Sequence, residues 1–374
     1  MAESANPFKA YFSKTLTEQI AGRIAAVYPT FPTSQFVERV AAEVDSLELK
    51  ARVNLIRDAL RETLPADYPT ALEIVLSILS DELPAEDGMF NNGFWIMPIA
   101  AFVQQYGLDH FEPSMRALYE ITKRFTSEEA IRPYIVRYPE RVLFILHHWA
   151  SDSSAHVRRL VSEGTRTRLP WAMRLQLFID DPHPVFDLLE LLKDDSSLYV
   201  RRSVANNLND IAKDHPDLVV SRLTAWREGA SNERQWVIKH ALRHLIKQGN
   251  VGALGVLGYA AEHAIDVDSF ALSTDSATIG DTVTLTASLV NRDSVAHDAV
   301  IDYRVHYVKA NGKTSPKVFK WATVHLEPNA AITLTKKHAF RDVSIRVHRP
   351  GIHTIDVQVN GRVLAEAEMD LKTG

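Results

Sequence analysis

"PERVLFILHHWASDSSAHVRRLVSE" at residues 139 to 163 and "PHPVFDLLELLKDDSSLYVRRSVAN" at residues 182 to 206 are two copies of one pattern, offset by 43 positions. Pro139 matches Pro182, Leu146 matches Leu189, Asp152 matches Asp195, and Val157-Arg158-Arg159 matches Val200-Arg201-Arg202. In each copy a proline opens a first helix, an Asp-Ser-Ser turn follows, and a second helix carries the basic pair. A weaker third copy runs from Pro216 through Trp226 to "WVIKHALRHLIKQGN" at 236 to 250. Two-helix units of roughly 40 residues are the mark of HEAT-like repeats, which bury their apolar faces by stacking into a solenoid.

Outward from these copies, apolar residues keep a helical spacing, as in Leu55, Ile56 and Leu60 or Val142, Leu143 and Leu146. Residues 15 to 125 are expected to hold further, degenerate units. From about residue 268 the period changes to two, in "DTVTLTASLVN" (281 to 291), "VIDYRVHYVKANG" (300 to 312) and "HTIDVQVNG" (353 to 361), with Asn311-Gly312 and Asn360-Gly361 as hairpin signals. About seven short strands in some 105 residues suit a β-sandwich of immunoglobulin type. The expected fold is therefore mostly α: a HEAT-like helical-repeat solenoid over residues 1–266, then an all-β immunoglobulin-like sandwich over 267–374.

The 374 residues are 46% hydrophobic and 24% charged, as in an ordinary globular chain. The absence of cysteine excludes disulfides, thiolate metal sites and a cysteine nucleophile. The histidines show no ligand spacing, so neither a metal nor a cofactor is expected. No basic-then-apolar leader opens the chain and no apolar run of about 18 residues follows, which points to a cytoplasmic protein away from membranes. Nothing signals oligomerisation, and a monomer is expected.

The net charge of -5 argues against nonspecific coating of nucleic acid, but it is unevenly spread. Residues 1 to 125 carry 11 basic and 17 acidic side chains, whereas residues 151 to 250 carry 15 and 13. A polyanion site belongs in the middle of the chain. There, Arg159, Glu163 and Arg166 share one face of a second helix; Arg202, Asn206 and Asp210 continue it in the next copy, and Lys239, Arg243 and Lys247 in the third. Val157, Val161, Val200, Val204, Leu208, Val237 and Leu245 fall on another face, suited to a core. The polar row predicts a mostly basic cradle for nucleic acid. Carboxylates within it repel phosphates, so Glu163 and Asp210 suggest a task other than binding.

Arg159 and Arg202 admit two roles, phosphate contact or pairing with Asp152 and Asp195 at the inter-helix turn. Trp171, after "RTRLP", suits either core packing or stacking on a nucleotide. Thr126 and Glu129 in "TSEEAIRP" have the spacing of a capping box, and Glu128 there reads as an ordinary first-turn acid. His240 reads as a packed or surface side chain.

"TSEEAIRP" (126 to 133), "HVRRLVSEGTRTRLPWA" (156 to 172), "DSSLYVRRSVANNLNDIAKDHP" (195 to 216) and "KHALRHLIKQGN" (239 to 250) together resemble the AlkC family of alkylpurine DNA glycosylases. The resemblance runs over nearly the whole chain. It implies hydrolysis of the N-glycosidic bond of cationic N-alkylated bases such as 3-methyladenine, 3-methylcytosine and 1-methyladenine in double-stranded DNA, without full base flipping, leaving an abasic site. It places functional positions on Glu128, Glu163, Trp171 and Asp210, with Asp210 as the group that stabilises charge on the sugar. Lys317, Lys320 and Arg346, with other basic residues of "KTSPKVFKW" and "KKHAFRDVSIRVHRPG", would let the sandwich clamp DNA. The competing reading is a noncatalytic helical-repeat scaffold for DNA or protein.

Overall fold

The computed structural model describes residues 7–84, 86, 93–259, 264–342 and 347–373. Helices occupy the chain as far as Val256 and strands follow from Ile265, so the chain is helical first and an immunoglobulin-like β-domain after. Two compact units divide between Ile211 and Ala212.

In the first unit the two strong copies fold alike. Their first helices are Pro139–Trp149 and His183–Leu192, their second helices Ala155–Gly164 and Leu198–Ile211. Pro139 and Pro184 sit in the first turn, where a missing N–H costs nothing. The Asp-Ser-Ser turns close on the aspartates: Oδ1 of Asp152 accepts from the Ser154 amide at 2.7 Å, and Oδ1 of Asp195 from the Ser197 amide at 2.9 Å. Arg158 then donates to the carbonyls of Asp152 and Ser153, and Arg201 to those of Asp195 and Ser196. Arg158 also grips the Asp195 carboxylate with two bonds of 2.6 and 3.0 Å, joining one copy to the next. The brace is thus the first arginine of each pair, which leaves Arg159 and Arg202 for the other face.

Val157, Val161, Val200, Val204 and Leu208 are fully buried, as their spacing predicts. The two second helices pack side by side. A polar seam crosses between them: Ser162 donates to Ser203 Oγ at 2.7 Å, and the Asn207 amide donates to the Ser162 carbonyl and to Thr165 Oγ1.

The second unit begins with the third copy, Pro216–Arg227 and Asn232–Ala241, followed by the short helices Arg243–Lys247 and Val251–Val256. Val237 and Leu245 are buried in it. Among the described residues eight strands follow: β1 (Ile265–Leu272), β2 (Ser276–Thr278), β3 (Thr282–Asn291), β4 (His297–Val308), β5 (Thr314–Leu326), β6 (Ala331–Ala339), β7 (Gly351–Val359) and β8 (Arg362–Lys372). They form a three-stranded sheet, β1-β3-β6, and a five-stranded sheet, β2-β8-β7-β4-β5. Leu285, Ala287, Leu289, Ile301, Val305, Ile355 and Val357 lie in the core they enclose.

The two Asn-Gly pairs make different turns. Asn360 (φ 48°) and Gly361 (φ 82°) are both left-handed and join β7 to β8 in the two-residue form. At Asn311-Gly312 only the glycine is left-handed, in a longer loop closed by a bond from the Lys309 amide to the Lys313 carbonyl. The unit division lies well before the first strand because helices lie on the sheet. The Arg243–Lys247 helix packs against β5. A Cβ at Gly361 would stand 2.1 Å from the Gly249 carbonyl oxygen, so that approach requires glycine.

Candidate functional site

The face left over by the turn-bracing arginines carries a row of alternating charges. Arg159 Nη1 donates to Glu128 Oε2 at 2.7 Å, and its Nη2 lies 3.7 Å from Glu163 Oε1. Arg166 Nη1 donates to that same Oε1 at 2.6 Å, while its Nε and Nη2 both reach Asp210 Oδ2 at 2.8 Å. Glu128, Arg159, Glu163, Arg166 and Asp210 therefore form one row of three carboxylates and two guanidiniums. Its formal sum is negative where the periodic pattern predicts a basic strip.

Each member is positioned by a different local device. Glu128 stands in the turn before the Arg132–Arg137 helix, where its amide and its Oε2 both bond to Thr126 Oγ1. The capping box with Glu129 does not form, because Glu129 turns away to pair with Lys50. Glu163 is 5% exposed in the last turn of its helix, and Ser203 donates to its Oε2 at 2.6 Å. Asp210 is 2% exposed in the last turn of Leu198–Ile211.

Burial opposes ionisation of Glu163, but Arg159 and Arg166, helped by the Ser203 hydroxyl, outweigh it and hold its carboxyl below the usual glutamate range. Burial likewise opposes the charge on Arg159, and Glu128 and Glu163 reverse that effect. The guanidinium of Arg159 also lies 4.9 Å from the centre of the Tyr199 ring, whose hydroxyl is pushed up to about 12, chiefly by burial.

Trp171 sits in the loop after the row, 71% exposed and with φ at +65°. A left-handed backbone at a bulky residue is strained and needs outside support. Arg132 supplies it. Fully buried, it donates to the carbonyls of Gly164, Arg166 and Met173, on both sides of the tryptophan. Burial and the neighbouring Arg166 bring its guanidinium down to about 10. Trp171 and Glu128 together line a cavity of about 260 Å³, with Leu169, Pro170 and Phe125 among its apolar walls.

Comparison with known proteins sets this geometry in context. Residues 266–373 match the family model described as the uncharacterised protein YhaZ, C-terminal Ig-like domain. The chain is 36% identical over 357 residues to the uncharacterized protein YhaZ of Bacillus subtilis (strain 168), covering 95% of this chain and 96% of that one. It is also similar to the solved structure of the Pseudomonas fluorescens alkylpurine DNA glycosylase AlkC bound to DNA containing an abasic site analog. That likeness has 35% identity, a TM-score of 0.83, and covers 98% of this chain and 99% of the other. The chain belongs to the AlkC/YhaZ family.

In this AlkC/YhaZ protein the first unit brings Glu128, Arg159, Glu163, Arg166 and Asp210 into one row, with Trp171 sharing the cavity of Glu128. Arg166, placed in the phosphate-facing row, and Arg159, left open between phosphate contact and pairing with Asp152, both spend donors on Glu128, Glu163 or Asp210. Arg202 is exposed and forms no ion pair among the described residues, and Asn206 is half-buried. Lys239, Arg243 and Lys247 belong to the second unit, where they line one cavity with Lys317 and Lys320 of β5. Arg346 lies outside the described residues. Trp171 is not a core side chain, and His240 is half-buried, stacked on Trp236 with centroids 4.8 Å apart.

Two residues of the site were absent from the periodic reading. Ser203 occupies the place of Leu160 in the aligned copy, and a hydroxyl at a core-facing repeat position is a signal for a buried polar partner. Arg132 has no such signal, since an arginine before a proline at a helix start reads as surface. Among the described residues no group of three or more histidines and acids could hold a metal ion. No described helix is long and apolar enough to cross a membrane.

Proposed function

We propose that this protein is a DNA glycosylase that hydrolyses the N-glycosidic bond of cationic N-alkylated bases in double-stranded DNA. The observation that carries the reading is the convergence of Glu128, Glu163 and Asp210 on two arginines, in a chain 35% identical over 98% of its length to a DNA-bound alkylpurine glycosylase. A site with more carboxylates than guanidiniums is hostile to phosphate and favourable to a cationic base.

Breaking the bond places positive charge on the deoxyribose. Asp210, fixed through Oδ2 by Arg166, is assigned the stabilisation of that charge and the orientation of the attacking water. An alkylated base leaves as a neutral molecule, so no general acid is needed. Glu128 and Glu163 add negative field at the lesion, and the exposed Trp171 indole packs on the sugar or base edge. A lesion approached from this side, such as 3-methyladenine, 3-methylcytosine or 1-methyladenine, need not turn fully out of the duplex.

Lys50, on the wall shared with Glu128, is tied to both oxygens of Glu129 rather than presented as a free amine. We therefore assign a monofunctional reaction that stops at the abasic site. Arg202, Lys239, Lys247, Lys317 and Lys320 are exposed and suit phosphate contacts. The test is release from duplex DNA treated with a methylating agent, resolved by chromatography. Release of 3-methyladenine with intact, heat-labile strands is expected; no base released under any condition would overturn the reading in favour of a noncatalytic scaffold.

A further inference from the structure

Within the second unit, the helical segment Asn232–Lys247 and strands β4 and β5 line an open cleft of about 710 Å³, ample for a nucleotide. Asp302 of β4 lines it. This residue is 4% exposed, yet its carboxylate has no ion pair and no hydrogen bond among the described residues. Its strand neighbours Ile301 and Tyr303 belong to the sandwich core, so Asp302 looks out of the opposite face of the sheet. Burial raises its carboxyl to about 6, against a smaller opposing effect of Lys320 across the ladder. Its oxygens open into the cavity, where a ligand can supply the donor that the protein does not.

The rest of the cavity defines that ligand. Trp236 and His240 stack in parallel, with planes 8° apart, and present an aromatic surface to it. Lys239, Arg243, Lys247 and Lys320 add positive charge along it. Aromatic faces take a base, cations take its phosphate, and a carboxylate takes N–H donors on the base edge. Two carboxylate oxygens are best matched by two parallel donors, which among the bases guanine offers at N1 and N2.

We propose that this cavity is a nucleotide site that holds a base by Asp302, guanine above the others, and its phosphate by the surrounding lysines. The ligand is either a free nucleotide or an unpaired nucleotide in a strand; the proposal rests on the DNA-contact reading of those lysines only for the phosphate.

Calorimetric titration of the full chain tests it. Four probes are used: dGMP, dTMP, and the single strands TTGTT and TTTTT. A guanine preference of about tenfold or more in either pair is expected from such a contact. Asp302→Asn is expected to erase that preference, and Trp236→Ala to weaken both members of the pair. A preference seen with dGMP marks a free nucleotide, and one seen only in the strands marks an unpaired base. No guanine preference in either pair, or one that survives in D302N with its melting temperature retained, overturns the site. Base release from methylated duplex, measured on the same preparations, is independent: its absence in the wild type sinks the glycosylase reading and leaves the guanine preference to be judged alone.

Discussion

Arg166 holds Asp210 by two donors converging on a single oxygen, Nε and Nη2 each 2.8 Å from Oδ2, while its Nη1 holds Glu163. One guanidinium thus sets the position of two acids on neighbouring helices. If the chemistry belongs to Asp210, Asp210→Asn keeps the side-chain shape and removes the charge. Single-turnover release of 3-methyladenine is expected to fall on the order of a hundredfold or more, about 3 kcal/mol of barrier. Release within a fewfold of wild type would remove Asp210 from its assigned role.

Arg166→Met leaves Glu163 and Asp210 buried without their shared cation. Losing one partner of a buried pair costs on the order of 3 kcal/mol, which urea unfolding measures. Adding Asp210→Asn to that variant is expected to recover part of the loss, because a buried charge that has lost Arg166 disappears with it. Additive losses would mean that the two side chains are not coupled.

Glu163 and Asp302 are expected to respond to pH with opposite signs. The Glu163 carboxyl is held below its ordinary value of 4.5, so its contribution is present above that pH and is lost as pH falls through the lower folded-state value. Glu163→Gln flattens the acid limb of the stability curve. The Asp302 carboxyl is raised from 3.8 to about 6, so the folded state is favoured below about 4 and penalised progressively as pH rises through 6. Asp302→Asn is expected to raise stability at pH 7.5 by up to about 3 kcal/mol, a gain that vanishes near pH 4. Thermal melts of the two variants across that range check both signs.

Trp171 separates strain from contact. Glycine adopts φ at +65° freely and alanine does not, so Trp171→Gly is expected to melt above Trp171→Ala by about 1 kcal/mol in stability. Both variants lack the exposed indole and are expected to lose base release alike. Normal release by either would assign the indole no part in the reaction.

The sequence by itself determined the helical repeats, the polar turns at Asp152 and Asp195, the buried valines of the second helices, and the change to strands near residue 268. Each of these follows from spacing within about one repeat, where backbone periodicity decides which face a side chain takes. It also singled out Glu163 and Asp210 as acids out of place. Only the tertiary structure decided their partners. Arg159 meets Glu128 across 31 positions and Arg166 meets Asp210 across 44, so an expected row of phosphate contacts became a row of ion pairs. The same holds for Arg132, which reaches 41 positions to the Met173 carbonyl and carries the Trp171 loop, and for Asp302, whose isolation depends on helices laid against its sheet. Periodicity names the face a charge occupies; which opposite charge arrives there depends on how distant segments pack.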